Sequence, residues 1–107
     1  MRPIEWHGDS RERIREFPEQ ARLDVGFALE RVQRGLAPTD AKPMSTVGAG
    51  VMEIRAHFRG EYRVLYVAKF ADAVHVLHAF SKKSQKTPKP DLELASQRYR
   101  ELLAKRG

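Results

Sequence analysis

Two stretches of this chain are hydrophobic on both faces of a two-residue period. In Glu61–Phe70 the run Val64 to Ala68 has no polar position, and in Ala73–Phe80 the same holds for Val76-Leu77. Loss of alternation predicts central strands covered on both sides, here joined by a tight turn at Ala71-Asp72. Val51–Phe58 alternates instead, with Met52, Ile54, Ala56 and Phe58 against Glu53, Arg55 and His57, which predicts a half-buried strand with a polar face. Pro3 to His7 sets Ile4 and Trp6 against Glu5 and His7, as an edge strand would.

Elsewhere the period is helical. Asp9 stands three residues before Glu12, the spacing of a capping box, and opens a short helix through Phe17 with Ile14 and Phe17 inward. Pro18 is expected to end it and to be the first residue of the next helix, which runs to about Leu36. There Ala21, Val25, Ala28, Leu29, Val32 and Leu36 recur at steps of three and four, and Gly35 with Ala37-Pro38 supplies the stop. Thr39 to Gly50 reads as loop. Thr87 as N-cap and Pro88 as first helical residue open a last helix with Leu92, Ala95, Tyr99, Leu102 and Leu103 as its stripe. The order β-α-α-β-β-β-α predicts an α+β fold. Its small, antiparallel-rich sheet carries an N-terminal helical hairpin on one face and a C-terminal helix after a basic loop. Residues 1–107 are expected to form a single domain.

Composition narrows the chemistry. The absence of cysteine excludes disulfides and thiolate metal sites. No apolar run approaches the roughly 20 residues of a bilayer span, and the start Met-Arg-Pro-Ile-Glu-Trp-His has no signal-peptide core, so the expected place is the cytoplasm with no membrane partner. The net charge of +6 is unevenly spread: residues 1–41 hold seven Lys/Arg against eight Asp/Glu, residues 42–107 thirteen against six. The whole excess lies with the paired strands and the loop bearing Lys82, Lys83, Lys86 and Lys89. That asymmetry points to a polyanionic partner, nucleic acid or an acidic protein segment, or to a solvated lysine-rich face.

No cofactor is expected. His75 and His78 are three apart on a strand, which aims them at opposite faces and prevents them from chelating one metal. Ser81 and Ser84 lack a local base and orienter, and no glycine-rich phosphate loop precedes a helix. The remaining residues suit cleavage of RNA through its own 2′-hydroxyl, which needs cations over the phosphorus and a proton donor and acceptor rather than a protein nucleophile. Arg63, Lys82, Lys83 and His78 are the candidate catalytic residues. Arg55, His57, Lys86, Lys89, Tyr66 and Phe80 are the candidate RNA-binding set, the aromatics as base platforms. The acid and base stay open between His57 and His78. For Arg63 the competing reading is a structural pair with Glu53 or Glu61, and Tyr66 and Phe80 are better suited to the core than to stacking a base.

The segments Val51-Met-Glu-Ile-Arg55, Tyr62-Arg63-Val-Leu-Tyr66 and Val76-Leu-His-Ala-Phe80-Ser-Lys-Lys83-Ser-Gln-Lys-Thr-Pro88 resemble the phage-derived, HigB-like branch of the RelE/HigB-like type II toxins. Trp6-His7-Gly8, Phe17-Pro18 and the Ala95 to Arg98 segment extend the resemblance over nearly the whole chain. It implies a microbial-ribonuclease-like fold and a metal-independent mRNA endoribonuclease that works on the ribosome and inhibits translation. Its partners would be mRNA, the ribosome and a cognate antitoxin of helix-turn-helix type. Arg63 matches the family's phosphate-contacting strand arginine, and Lys82, Lys83 and Lys86 its basic segment. Where RelE itself has a tyrosine, this chain reads Ser84-Gln85-Lys86-Thr87. The alternatives are a non-catalytic module of the same fold that binds RNA or an acidic protein, and a purely structural phage protein.

Overall fold

The two hydrophobic runs occupy the middle of a sheet and set its layering. The computed structural model describes residues 1–106. Its elements are β1 (Ile4–Trp6), α1 (Ser10–Arg15), α2 (Glu19–Gln33), β2 (Ala41–Pro43), β3 (Val51–His57), β4 (Glu61–Val67), β5 (Val74–Lys82) and α3 (Lys89–Arg106). The five strands lie in the order β1-β5-β4-β3-β2. β1 runs parallel to β5, and the other neighbours are antiparallel. This is an α+β fold with a mixed sheet and three helices. Among the described residues no helix is long and apolar enough to cross a membrane.

Each face of β4 and β5 has its own cover, which is why neither strand alternates. Ile14 of α1 and Phe17 just after it, with Val25 and Leu29 of α2, pack on Ile54, Val64 and Val76. On the opposite face Ala95, Tyr99 and Leu102 of α3 pack on Leu65, Val67 and Leu77. Gly48 lets the Tyr99 ring lie against the backbone, since a Cβ there would occupy the ring's place. Gly8, at φ +56°, does the same for the Arg98 guanidinium. That guanidinium donates to the Leu77 carbonyl at 2.9 Å and to Asp9 at 2.8 Å, tying α3 to β5 and to the start of α1.

The differences from expectation have local causes. β2 lies inside the segment read as loop; three residues ending in Pro43 are too short to show a period, yet Ala41 to Pro43 pair with Met52 to Ile54. Asp9 makes no capping hydrogen bond, because its carboxylate is taken by Arg13 and Arg98, which hold it down at a pKa of about 2. Pro18 precedes α2 as its N-cap rather than opening it, and Leu36 lies past the helix end, exposed. Similarly α3 starts at Lys89, so Pro88 rather than Thr87 stands at the cap. β4 and β5 slip register between Leu65 and Tyr66, opposite His78 and Val76, leaving Leu77 unpaired. Leu77 packs under α3 and His78 bonds α3 residues, so this bulge turns both toward α3. His75, paired with Val67, faces α3 as well, which removes the opposite-face argument for His75 and His78.

Leu65 is fully buried (0 % exposed) and Leu23 is on the surface of α2 (59 %). Leu65→Ala is expected to cost about 2–5 kcal/mol, and Leu23→Ala no more than about 0.5 kcal/mol, read as shifts in the urea midpoint at constant slope.

Candidate functional site

Strand register brings the basic residues together. Arg55 pairs with Arg63, Arg63 with Phe80, Glu61 with Lys82, and Lys42 with Glu53, so these side chains share the α3-side face of the sheet. α3 contributes no residue there. The face opens as a cleft of about 600 Å³ lined by Lys42, Arg55, Glu61, Arg63, Lys82 and Lys83, with Ser84 and Gln85 at the loop. Five cations thus surround one carboxylate.

Arg63 is the deepest of them, with its side chain 8 % exposed. It donates from Nη2 to Glu61 at 3.0 Å and from Nη1 to the Tyr62 carbonyl at 3.1 Å. Its Nε lies 3.7 Å from Glu53 Oε1, near enough for charge attraction and too far for a hydrogen bond. Glu53 is fully buried, and neither of its oxygens accepts a hydrogen bond from the described residues. A buried carboxylate without hydrogen bonds depends on its counter-charges, here Arg63 and Lys42, whose Nζ is 3.9 Å away. Both structural partners anticipated for Arg63 are therefore present, and they hold it at the cleft.

A second network lies at the rim. Arg55 donates from Nη2 and Nε to Asp40 at 2.8 and 2.9 Å. His57 bridges Asp40, 3.0 Å from Nε2, and Glu61, 2.7 Å from Nδ1. Each ring nitrogen thus faces a carboxylate, and the bond to Glu61, then that to Asp40, raises the His57 pKa by favouring the charged ring. Glu61 is lowered by the same bond and by Arg63. For Asp40 burial pushes upward, but the bonds from His57 and Arg55 prevail and its pKa falls.

Of the residues expected at the site, Arg55, Arg63, Lys82 and Lys83 meet in the cleft, and His57 reaches it through Glu61. The others fall elsewhere. His78 has no exposed surface: the bulge turns it under α3, where Nε2 lies 2.6 Å from Asp91 and Nδ1 3.4 Å from Arg98. Burial lowers its pKa against the opposing pull of Asp91, and so placed it cannot exchange protons with a substrate. Tyr66 belongs to the core under α2, and Phe80 is buried and stacked on His78, so neither offers a base platform. Lys86 is exposed outside the cleft lining, and Lys89 pairs with Glu93 on α3. Lys42 escapes sequence reasoning because β2 does. Glu53 falls on the polar face of β3 by alternation, and nothing in that alternation marks it as buried. The available signal is the Val64–Ala68 run, which requires β4's neighbour to be buried at its facing position, and Glu53 pairs with Leu65.

The family model described as "Phage derived protein Gp49-like (DUF891)" matches residues 12–100. That stretch reaches from α1 into α3 and contains all five cations of the cleft. No curated protein was found to match the chain.

The geometry gives two expectations. Arg63→Ala strands Glu53 and is expected to cost about 3–5 kcal/mol, whereas Glu53→Leu combined with Arg63→Met recovers most of that stability in chemical denaturation. His57 is expected to titrate above 6.5 by NMR and to move down in Asp40→Asn. Its contribution to stability is complete below the unfolded value near 6.5 and is lost as pH rises through the raised folded value.

Proposed function

The chain belongs to the phage-derived Gp49-like family, and from that membership we propose that it is the toxin of a type II toxin–antitoxin pair, of the RelE/HigB type. In this reading it is a metal-independent endoribonuclease that cuts mRNA on the ribosome in the bacterial cytoplasm, blocks translation, and is restrained by a helix-turn-helix antitoxin. The association of the family with toxin endoribonucleases supports it. So does one observation above all: five cations converge on a single cleft with no helix over it.

The chemistry fits that cleft. The RNA 2′-oxygen loses its proton to a base and forms its bond to phosphorus, the bond to the 5′-oxygen breaks as that oxygen takes up a proton from a cleft lysine, and a 2′,3′-cyclic phosphate and a 5′-hydroxyl are left. Arg63, Lys82 and Lys83 would take the charge that grows on the phosphoryl oxygens, already oriented before substrate arrives. Lys42 and Arg55 would extend the track along the strand. Glu61 is the carboxylate lining the cleft and the acceptor proposed for the 2′-hydroxyl proton. His57, protonated, would hold Glu61 in place.

One feature favours the second reading, a module of the same fold that binds RNA or an acidic protein without cutting. Arg63 is already engaged by Glu61, Tyr62 and Glu53. The two readings part on one variant, Lys82→Ala with Lys83→Ala, which leaves the buried pair intact. The toxin reading expects growth arrest on induction of the wild type and normal growth with the double variant. Each phosphate neutralised on a single strand contributes about −0.7 to the log–log salt dependence, so loss of two lysine contacts should make the double variant's slope shallower by about 1.4. Equal toxicity and an equal slope would remove the cleft from the account, whereas RNA binding without growth arrest would leave the binding module.

A further inference from the structure

The start of β5 carries a second cluster that the cleft does not use. Glu5 stands opposite His75 across the parallel β1–β5 pair, so their side chains share a face. Asp72, in the turn that enters β5, adds another carboxylate. Its Oδ2 is 3.9 Å from His75 Nε2, and Glu5 Oε2 is 3.5 Å from His75 Nδ1. One ligand atom from each of the three residues lies within 4.8 Å of the others. Donors about 2.0–2.2 Å from a tetrahedral ion sit roughly 3.5 Å apart, so closing the set on His75 Nε2 requires the exposed Asp72 carboxylate to move in from that side and the exposed Glu5 carboxylate to swing round from the Nδ1 side.

The buried histidine supplies a second, independent observation. His75 is 1 % exposed, and its Nε2 has no hydrogen-bond partner among the described residues. Its other nitrogen is engaged, since Nδ1 lies 3.0 Å from His7 Nε2. With the proton on His75 Nδ1, donated to His7, Nε2 presents a bare lone pair on the Asp72 side. A metal-bound histidine has this arrangement, its second ring nitrogen donating to an acceptor that fixes tautomer and tilt. Arg106 faces the cluster from α3 with both Asp72 oxygens 3.1 Å from its Nη1, so it supplies the positive charge that an ion would replace.

We propose that Glu5, Asp72 and His75 form a binding site for a divalent transition-metal ion of the zinc class, with His7 orienting the His75 ring and Arg106 competing for Asp72. A histidine with two carboxylates is a donor set suited to zinc. The site joins edge strand β1 to β5, so occupancy stabilises the fold by linkage.

The test uses the full chain without a histidine tag, zinc titration by calorimetry, and NMR of the imidazole nitrogens. The wild type is expected to bind zinc saturably in the micromolar range, with His75 Nε2 shifting as the metallated nitrogen. Glu5→Gln with Asp72→Asn alters two exposed side chains and should bind at least about tenfold more weakly while remaining folded by circular dichroism. Arg106→Ala frees Asp72 and should bind several-fold more tightly. No saturation at millimolar zinc, an unmoved His75 resonance, or unchanged affinity in either variant would overturn the proposal.

Discussion

A guanidinium set into the middle of a sheet needs an anion, and Glu53 is that anion. The two side chains are diagonal neighbours across β3 and β4, on the face that α3 covers further along. Glu53 sits behind, without a hydrogen bond, and Arg63 sits in front, with its outer nitrogens turned to Glu61 and the Tyr62 carbonyl. The pair depends on both layers of the fold. The α1–α2 cover buries the opposite face, and the bulge at Leu77 together with Arg98 fixes where α3 lies.

The same constraint explains why a cleft exists. Leu65, Val67 and Leu77 require a cover and receive α3. The next rungs carry Arg63, Arg55 and Lys82, which a helix could not bury without stranding several charges. A row of cations crowded together repels itself, and three carboxylates reduce that repulsion, Asp40 at the rim through Arg55. Glu53 does so from beneath, and Glu61 from within the cleft, shared between His57 and Arg63. A phosphodiester entering the cleft would compete with Glu61 for Arg63, so the protein's own carboxylate already occupies an anion's place.

Most of the layering is legible in the order of residue types alone, because layering rests on hydrophobic period, which is local. The runs at Val64–Ala68 and Val76-Leu77, the α2 stripe and the alternation of β3 all carry it. β2 does not, since three residues hold no period and its place comes from pairing with β3. The bulge is equally hidden, and His78 with it: a strict two-residue period conceals a residue added to one strand. At the site, clustered charge is legible in the composition of residues 42–107, whereas the partners of each charge are not. Arg63 stands out as a cation beside Leu65, but its burial over Glu53, and the arrival of Lys42 from the edge strand, are properties of register. Tyr66 and Phe80 go to the core for the same reason that their strands are central.

The most direct measurement of the central claim is the fate of mRNA when the chain is induced alone in bacteria. Primer extension on abundant messages, with identification of the new 3′ ends, reads both cleavage and its chemistry. Discrete new ends within translated regions carrying 2′,3′-cyclic phosphate are expected, and they should disappear when translation initiation is blocked. Intact messages, or 3′-hydroxyl ends that form independently of translation, would contradict it.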